Sequence, residues 1–179
     1  MAVGTDPHDL FAPAATGSVL RLAPNLQRLV APNPSPLTGP GTNTYVVGSG
    51  PPYLVIDPGP DDETHVDRIL TAAKGRISHV LCTHSHPDHS PGAAALKART
   101  QAVVLGQPAP HDEHQDDSYR PDRTLDDGDF VEVSGAGVRA LHTPGHASNH
   151  VCLLLEPEGW LLTGDHLMNG STVVILPPD

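Results

Sequence analysis

The sequence predicts one layered α/β or α+β domain in which strands outnumber helices. Its 179 residues suffice for a single hydrophobic core and are too few for two ordinary domains. Short apolar runs recur between clusters of Pro, Gly and Asp, which is the pattern of strands joined by turns. Two helical segments are expected between strands in the first half of the chain, and no internal repeat is visible.

The elements follow in order along the chain. Residues 1–17 are rich in Pro and Ala and lack periodicity, so we expect a flexible leader before a domain over residues 18–179. Helices are expected over residues 62–74, where apolar side chains recur at helical spacing before Gly75, and over residues 92–99. Residues 106–123 form a polar insertion with several prolines, and a loop of this length is usually functional or mobile. Strands are expected at residues 19–22, 26–30, 45–47, 53–56, 79–83, 102–105, 130–133, 138–142, 151–155 and 160–163.

Composition excludes several classes of function. The formal net charge of −11 disfavours a broad electrostatic grip on nucleic acid. No apolar run approaches the roughly 18 residues of a membrane span, and the first residues lack the basic and apolar regions of a secretory signal, so we expect a cytoplasmic protein. Cys82 and Cys152 lie in apolar, strand-like segments and are expected to be reduced core thiols.

Histidine is the unusual component, because its 12 copies outnumber the 10 lysines and arginines. The segment THSHPDHSPG places His84, His86, Asp88 and His89 directly after a predicted strand. Residues two apart in an extended stretch point the same way, so His84 and His86 can face one metal ion while Asp88 and His89, beyond Pro87, turn toward a second. Imidazole and carboxylate are the ligands expected at such a site.

Two further candidate ligands stand where predicted strands end. His146 lies in HTPGH and Asp165 in LLTGD, each after an apolar run and a Gly. The succession of HxHxDH, TPGH and TGD resembles the metallo-β-lactamase superfamily. The earlier segment NPSPLTGPGTNTYVVG, followed by LVIDPG, is similar to the branch called beta-lactamase-like protein 2 and its bacterial relatives, and the match runs from about Asn33 to the last residue.

The resemblance implies an αββα sandwich with a dinuclear zinc site at one edge of its two sheets. It implies hydrolysis by a zinc-bound hydroxide, which Asp88 would also orient as the catalytic residue, and it implies that Asp57 fixes a ligand imidazole. Carried over by position, the first ion would be held by His84, His86 and His146, the second by Asp88 and His89, and both by Asp165.

The remaining histidines carry weaker expectations. Pro144 and Gly145 forbid a helix that would align His142 and His150 with His146, although His150 stands where the resembling branch also tends to carry histidine and is a candidate for a supporting or substrate-facing role. His166 is expected to point away from Asp165 in an extended chain. Solvent or packing roles are expected for His8, His65, His79, His111 and His114, of which the last two lie in the insertion and could face substrate. The acidic run over residues 112–117 is interpreted as a solvated loop.

One departure from the family concerns the end of the chain. Members of the family continue through further helices and a strand to a final histidine that completes the second metal site, whereas this sequence stops at Asp179. We therefore expect a truncated form or a site completed by another chain, a weakened second metal, weak or no activity, and self-association into a homo-oligomer or aggregate.

The branch resemblance implies phosphodiester cleavage in single-stranded RNA. The alternatives are a glyoxalase II-like hydrolase of small thioester substrates, a persulfide dioxygenase that binds one iron through two histidines and one aspartate, and a non-enzymatic binding remnant. Antibiotic hydrolysis is disfavoured, because the true β-lactamases of this fold carry a cysteine at the position of Asp165.

Overall fold

The structure is a computed structural model that describes residues 15–156 and 158–175, and in this part of the chain the strands form two sheets. The first sheet has the order β1-β2-β3-β4-β5-β6-β7 and the second the order β11-β10-β9-β8. The strands of the first sheet are β1 Val19–Ala23, β2 Leu26–Val30, β3 Asn43–Val47, β4 Tyr53–Ile56, β5 Ile77–Leu81, β6 Val103–Gly106 and β7 Arg123–Thr124. Those of the second are β8 Phe130–Val133, β9 Ala136–His142, β10 Val151–Glu156 and β11 Trp160–Leu162.

Two helices cover the outer face of the first sheet. Helix α1 spans Glu63–Ala72 and begins where the Asp62 carboxylate accepts a hydrogen bond from the His65 N–H. Helix α2 spans Gly92–Thr100. Their apolar side chains pack against the outer side chains of β3 to β6 in one buried cluster.

A second apolar cluster fills the space between the two sheets. It contains Ile56 and Leu81 from the first sheet and Val151 and Leu153 from the second, all of them buried. The outer face of the second sheet carries the half-exposed Phe130, and no helix of the described residues covers it. Three of the four layers of the αββα sandwich are therefore present in residues 15–156 and 158–175.

Strand direction brings several chain segments to one edge of this sandwich. Strands β4, β5 and β6 are parallel, so their carboxyl ends lie side by side. Asp57, the histidine-rich loop over residues 82–91 and the insertion over residues 107–122 leave the sheet at these ends. In the second sheet β9 and β11 both run antiparallel to β10, so residues 143–150 and 163–166 also leave at one common edge.

The predicted elements are confirmed apart from a few differences. Strand β5 ends at Leu81, two residues earlier than predicted, because the Thr83 N–H donates to the Asp57 carboxylate instead of pairing with a strand. The two-residue strand β7 was not predicted. Residues 1–14 of the expected leader lie outside the described residues, while Gly17 donates a hydrogen bond to the Val30 carbonyl at 3.1 Å. No helix in the described part of the chain is long and apolar enough to cross a membrane.

Both cysteines are buried and free, in agreement with the expectation of reduced core thiols. Burial raises the pKa of the Cys82 thiol well above its ordinary value and also raises that of Cys152. Both side chains therefore remain protonated and pack as small apolar groups.

Candidate metal centre

The fold brings the six predicted ligand residues together. The ring of His84 lies at the centre, 4.6 Å from the ring of His86, 4.2 Å from that of His89 and 4.9 Å from that of His146, measured between centroids. Asp165 lies 3.4 Å from His89, between carboxylate Oδ1 and imidazole Nε2. Two groups of ligand atoms lie within 4.8 Å of one another: His84, His86 and His146 in one, and His84, His89 and Asp165 in the other.

The hydrogen bonds of His84 fix which of its nitrogens is free. The Thr83 hydroxyl donates to Asp57 Oδ2 at 2.9 Å, so its oxygen accepts from Nδ1–H of His84 at 3.0 Å. Nε2 of His84 then carries the lone pair, and this atom is buried and has no hydrogen-bond partner among the described residues. Burial, together with the neighbouring imidazoles, lowers the pKa of His84 well below its ordinary value, so the ring is neutral, the form that binds a metal ion.

His146 and His86 direct two nitrogens at the same point. Nδ1 of His146 donates to the Val174 carbonyl at 2.5 Å, which leaves the lone pair on Nε2. That Nε2 lies 3.0 Å from Nδ1 of His86. Nitrogens bound to one tetrahedral zinc ion at 2.0–2.1 Å are about 3.3 Å apart. The donor set of His84, His86 and His146 therefore fits a zinc ion with a fourth position open to water or substrate.

His89 lies among three carboxylates. Its Nδ1 contacts Asp57 Oδ2 at 3.1 Å, and its Nε2 lies 3.3 Å from Asp88 Oδ2 and 3.4 Å from Asp165 Oδ1. Burial alone would lower the pKa of His89, but Asp88 and Asp57 outweigh it and raise this pKa well above the ordinary value. The protonated imidazole balances part of this negative charge, and a metal ion bound at Nε2 would take over that role.

Asp165 faces both groups of ligands. While its Oδ1 is directed toward His89, its Oδ2 lies 3.7 Å from Nε2 of His146. A carboxylate with one oxygen toward each group would be able to hold two metal ions, one at each oxygen. The group with His89 and Asp165 contains His84 as its third member, whereas the sequence predicted Asp88 as the ligand that joins His89 and Asp165 at the second ion. We prefer Asp88, because the single free nitrogen of His84 already belongs to the three-histidine group.

Two threonine hydroxyls, which the sequence did not reveal as part of the site, hold the histidine-rich loop over residues 82–91, called the ligand loop below. Thr83 ties Asp57 to His84, and Thr42 donates to Asp88 Oδ2 at 3.2 Å. Asp57 is buried and adopts a left-handed backbone conformation with φ of 49°, which costs a non-glycine residue on the order of 1 kcal/mol. In this backbone conformation the Asp57 carboxylate contacts Thr83 and His89 beyond the end of β4. A single threonine has no spacing or periodicity that would have signalled this role.

His150, His166 and His142 lie outside both ligand groups. His150 is buried, its Nδ1 contacts the Thr143 hydroxyl at 3.0 Å, and its Nε2 has no hydrogen-bond partner among the described residues. Burial lowers the pKa of His150 to about 3. The extended chain expected at His166 is wrong, because Gly164–His166 forms a 3-10 turn, and the His166 ring lies 5.8 Å from that of His150. His142 is exposed and contacts the Ser148 carbonyl.

A cavity of about 630 Å³ opens beside the ligands. His86, Asp88, His146 and Asp165 form its floor. The lining as a whole is mostly apolar and includes Pro36, Leu37, Met168 and Val174, and the insertion adds Glu113 and His114. The volume is that of a site for a drug-sized molecule.

Converging imidazole nitrogens, a carboxylate that faces two groups of ligands and an adjoining cavity are features of metal-dependent hydrolases. Comparison with known proteins agrees with this class. The Metallo-beta-lactamase superfamily profile matches residues 37–178, and the chain belongs to that superfamily.

Several fungal proteins are similar to this chain. A lactamase-like protein of Pestalotiopsis microspora is 35% identical over 164 residues, which cover 88% of this chain and 48% of the relative. An atrochrysone carboxyl ACP thioesterase of Aspergillus chevalieri is 38% identical over 164 residues, covering 87% of this chain and 50% of the relative. The chain thus spans about half the length of the curated relatives it matches.

Solved structures share the fold. A beta-lactamase domain protein from Burkholderia ambifaria has a TM-score of 0.74 at 21% identity, and the match covers 94% of this chain and 63% of the Burkholderia chain. ETHE1 from Myxococcus xanthus has a TM-score of 0.61 at 29% identity and covers 80% of this chain and 58% of its own. The metallo-β-lactamase fold expected from the motifs is therefore confirmed.

Proposed function

We propose that this domain carries the metal centre of a thioester hydrolase. The observation that carries the proposal is the arrangement of free nitrogens, in which His84, His86 and His146 converge and Asp165 directs one oxygen toward them and the other toward His89. Zinc fits the three imidazoles best. When bound, such ions lower the pKa of a coordinated water to about 7 and polarise the carbonyl of the substrate.

The protein groups around this centre have separable roles. Asp88 lines the cavity, and although burial alone would raise its pKa, the His89 imidazole lowers the pKa well below the ordinary value. It is therefore ionised at neutral pH and can accept a hydrogen bond from the attacking water. Thr42 holds one of its oxygens and so restricts the direction of the other. Leu37 and Met168 supply apolar surface for the acyl side of the substrate.

The cavity favours a thioester over RNA. None of the described residues that line it is Lys or Arg, whereas Asp88, Glu113 and Asp165 contribute carboxylates. A phosphodiester backbone would meet like charge here, while a neutral thioester would not. Relatives named atrochrysone carboxyl ACP thioesterases, 32% to 38% identical, support the same substrate class. The resemblance of NPSPLTGPGTNTYVVG to the beta-lactamase-like protein 2 branch makes cleavage of single-stranded RNA the second candidate.

The test compares both substrates on one preparation. Zinc content is measured by elemental analysis, and hydrolysis of an aromatic N-acetylcysteamine thioester is compared with cleavage of single-stranded RNA. Zinc should bind and the thioester should be the faster substrate. Asp165→Asn should remove most of the activity, whereas Asp117→Asn, a change to an exposed aspartate outside the cavity, should not. Protein that binds no metal on titration, or that cleaves RNA faster, contradicts the proposal.

A further inference from the structure

The acidic run in the insertion is not the solvated loop that its composition suggests, because its central residues are buried beneath the ligand loop. Gln115 and Asp116 are each 8% exposed. The backbone N–H of Asp116 donates to the Ser85 carbonyl at 2.7 Å, and its Oδ2 accepts from the Ser90 hydroxyl at 2.7 Å. The Ser85 hydroxyl donates to Gln115 Oε1 at 2.5 Å. Ser85 and Ser90, which lie between the metal ligands of the ligand loop and directly after them, thus bind the insertion.

A third segment joins the same network. Nδ2 of Asn149 donates to the Ser85 hydroxyl at 2.8 Å and to the Pro108 carbonyl at 3.2 Å. Oδ1 of Asp116 accepts from both the N–H and the hydroxyl of Ser118. Several buried hydrogen bonds between three chain segments restrict the insertion to one conformation. The loop that carries the metal ligands therefore also positions the insertion.

The hydrogen bonds of Gln115 and Asp116 also fix the residues just before them, which line the cavity. Asp112 accepts hydrogen bonds from the backbone of His114 at 2.8 Å and from the Gln115 amide at 3.0 Å, which closes a tight turn over residues 112–115. As a result, Glu113 and His114 line the same cavity as Leu37. A carboxylate and an imidazole at the wall of a mostly apolar cavity can accept hydrogen bonds from a substrate.

We propose that the insertion is the recognition element of this site, and that Glu113 and His114 bind hydroxyl or amide N–H groups on a substrate with an otherwise apolar body. The proposal rests on the proposed thioester hydrolysis and adds the chemistry of the substrate. The donor groups could belong to the acyl part or to the thiol part of a thioester. Anionic groups at this position are excluded by the charge of Glu113.

Matched substrate pairs separate these two sources. In the first pair the acyl chains differ only by one hydroxyl group. In the second pair the acyl group is constant and the thiol is either pantetheine, which carries hydroxyl and amide donors, or a simple alkane thiol. The ratio of kcat/KM within each pair is measured for the parent, Glu113→Ala, Glu113→Gln and the control Asp117→Ala.

The parent should prefer the donor-bearing member of one pair, and Glu113→Ala should reduce that preference about tenfold, as expected for one hydrogen bond to a charged group. Glu113→Gln should retain part of the preference because it keeps an acceptor oxygen, and Asp117→Ala should retain all of it. Equal ratios in the parent and Glu113→Ala for both pairs overturn the proposal even if thioesters are hydrolysed.

Calorimetric binding of the corresponding amide analogues covers the case in which no thioester is hydrolysed. In that case the proposal of thioester hydrolysis is refuted, and the binding measurement still tests the recognition element. Weaker binding of the donor-bearing amide to Glu113→Ala than to the parent supports the recognition element. Equal binding to the two proteins refutes it.

Discussion

A fall in pH should destabilise the fold through His65, a buried histidine of α1 that does not line the cavity. Thr44 donates its hydroxyl proton to the Asp57 carbonyl at 2.6 Å, so His65 Nε2–H donates to the Thr44 oxygen at 2.8 Å. Nδ1 of His65 then carries the lone pair, is buried, and has no hydrogen-bond partner among the described residues. Protonation of Nδ1 would leave a buried N–H without an acceptor.

The size of the effect follows from the pKa. Burial lowers the pKa of His65 from 6.5 to about 4; Asp62 opposes this shift and Arg68 adds to it. At 1.36 kcal/mol per unit, the difference corresponds to about 3 kcal/mol of unfolding free energy. Because the unfolded chain binds the proton more readily, this stability is complete above pH 6.5, is lost as the pH falls, and is gone below about pH 4. Roughly 2 kcal/mol of it should be lost by pH 5.

Urea unfolding of metal-free protein between pH 7.5 and 4.5 measures this dependence. The ligand histidines also titrate, so the decisive quantity is the difference between the parent and His65→Leu, which removes only this titration. The free energy of unfolding of the variant should fall less steeply, by about 2 kcal/mol at pH 5. His111→Leu, a change to an exposed histidine of the insertion, should follow the parent. Parallel curves for the parent and His65→Leu would refute the reasoning.

Three further outcomes are expected. Asp57→Asn should weaken zinc binding about 10-fold to 100-fold in a competition titration, because an amide NH₂ in place of Oδ2 no longer accepts from Nδ1–H of His89. Unchanged affinity would show that Asp57 does not support the ligands. Gly164→Ala should lower the free energy of unfolding more than Gly159→Ala, although both glycines have positive φ. The Cβ added at Gly164 would lie 2.6 Å from His150 Nε2, whereas the Cβ at Gly159 meets no atom within 4 Å. Equal losses would show that the contact at Gly164 relaxes without cost. Zinc titration should give one tight and one weaker equivalent, because the second site has two carboxylates and one imidazole, and two equally tight equivalents would point to a further ligand.

The sequence was sufficient for the parts of the site that cluster in the chain. His84, His86, Asp88 and His89 lie within six residues, and short loops at strand ends must keep them together. Most strand positions were predictable for a similar reason, since apolar runs between turn residues mark buried strands irrespective of tertiary contacts.

What the sequence could not provide depends on contacts between distant segments. Asp116 belongs to the acidic run interpreted as solvated, yet it is buried because Ser90, 26 residues earlier, supplies a hydroxyl. Thr42 acquires its role only because it meets Asp88 across 46 residues. Such polar pairs have no periodicity, and single residues of these types are usually exposed.

Three of the four ligand imidazoles are oriented by the fold, because one ring nitrogen of His84, His89 and His146 is held by a different chain segment in each case. His84 is held by Thr83 and His89 by Asp57, both at the carboxyl ends of buried parallel strands. Ligands ordered in advance lose little conformational freedom on binding, so more of the interaction energy appears as affinity. His146 differs, since its partner is the carbonyl of Val174, a 39% exposed residue outside any helix or strand. The affinity of the three-histidine group therefore depends on how firmly residues 172–175 are held against the domain, and contacts that fix this segment would tighten the metal site without touching a ligand.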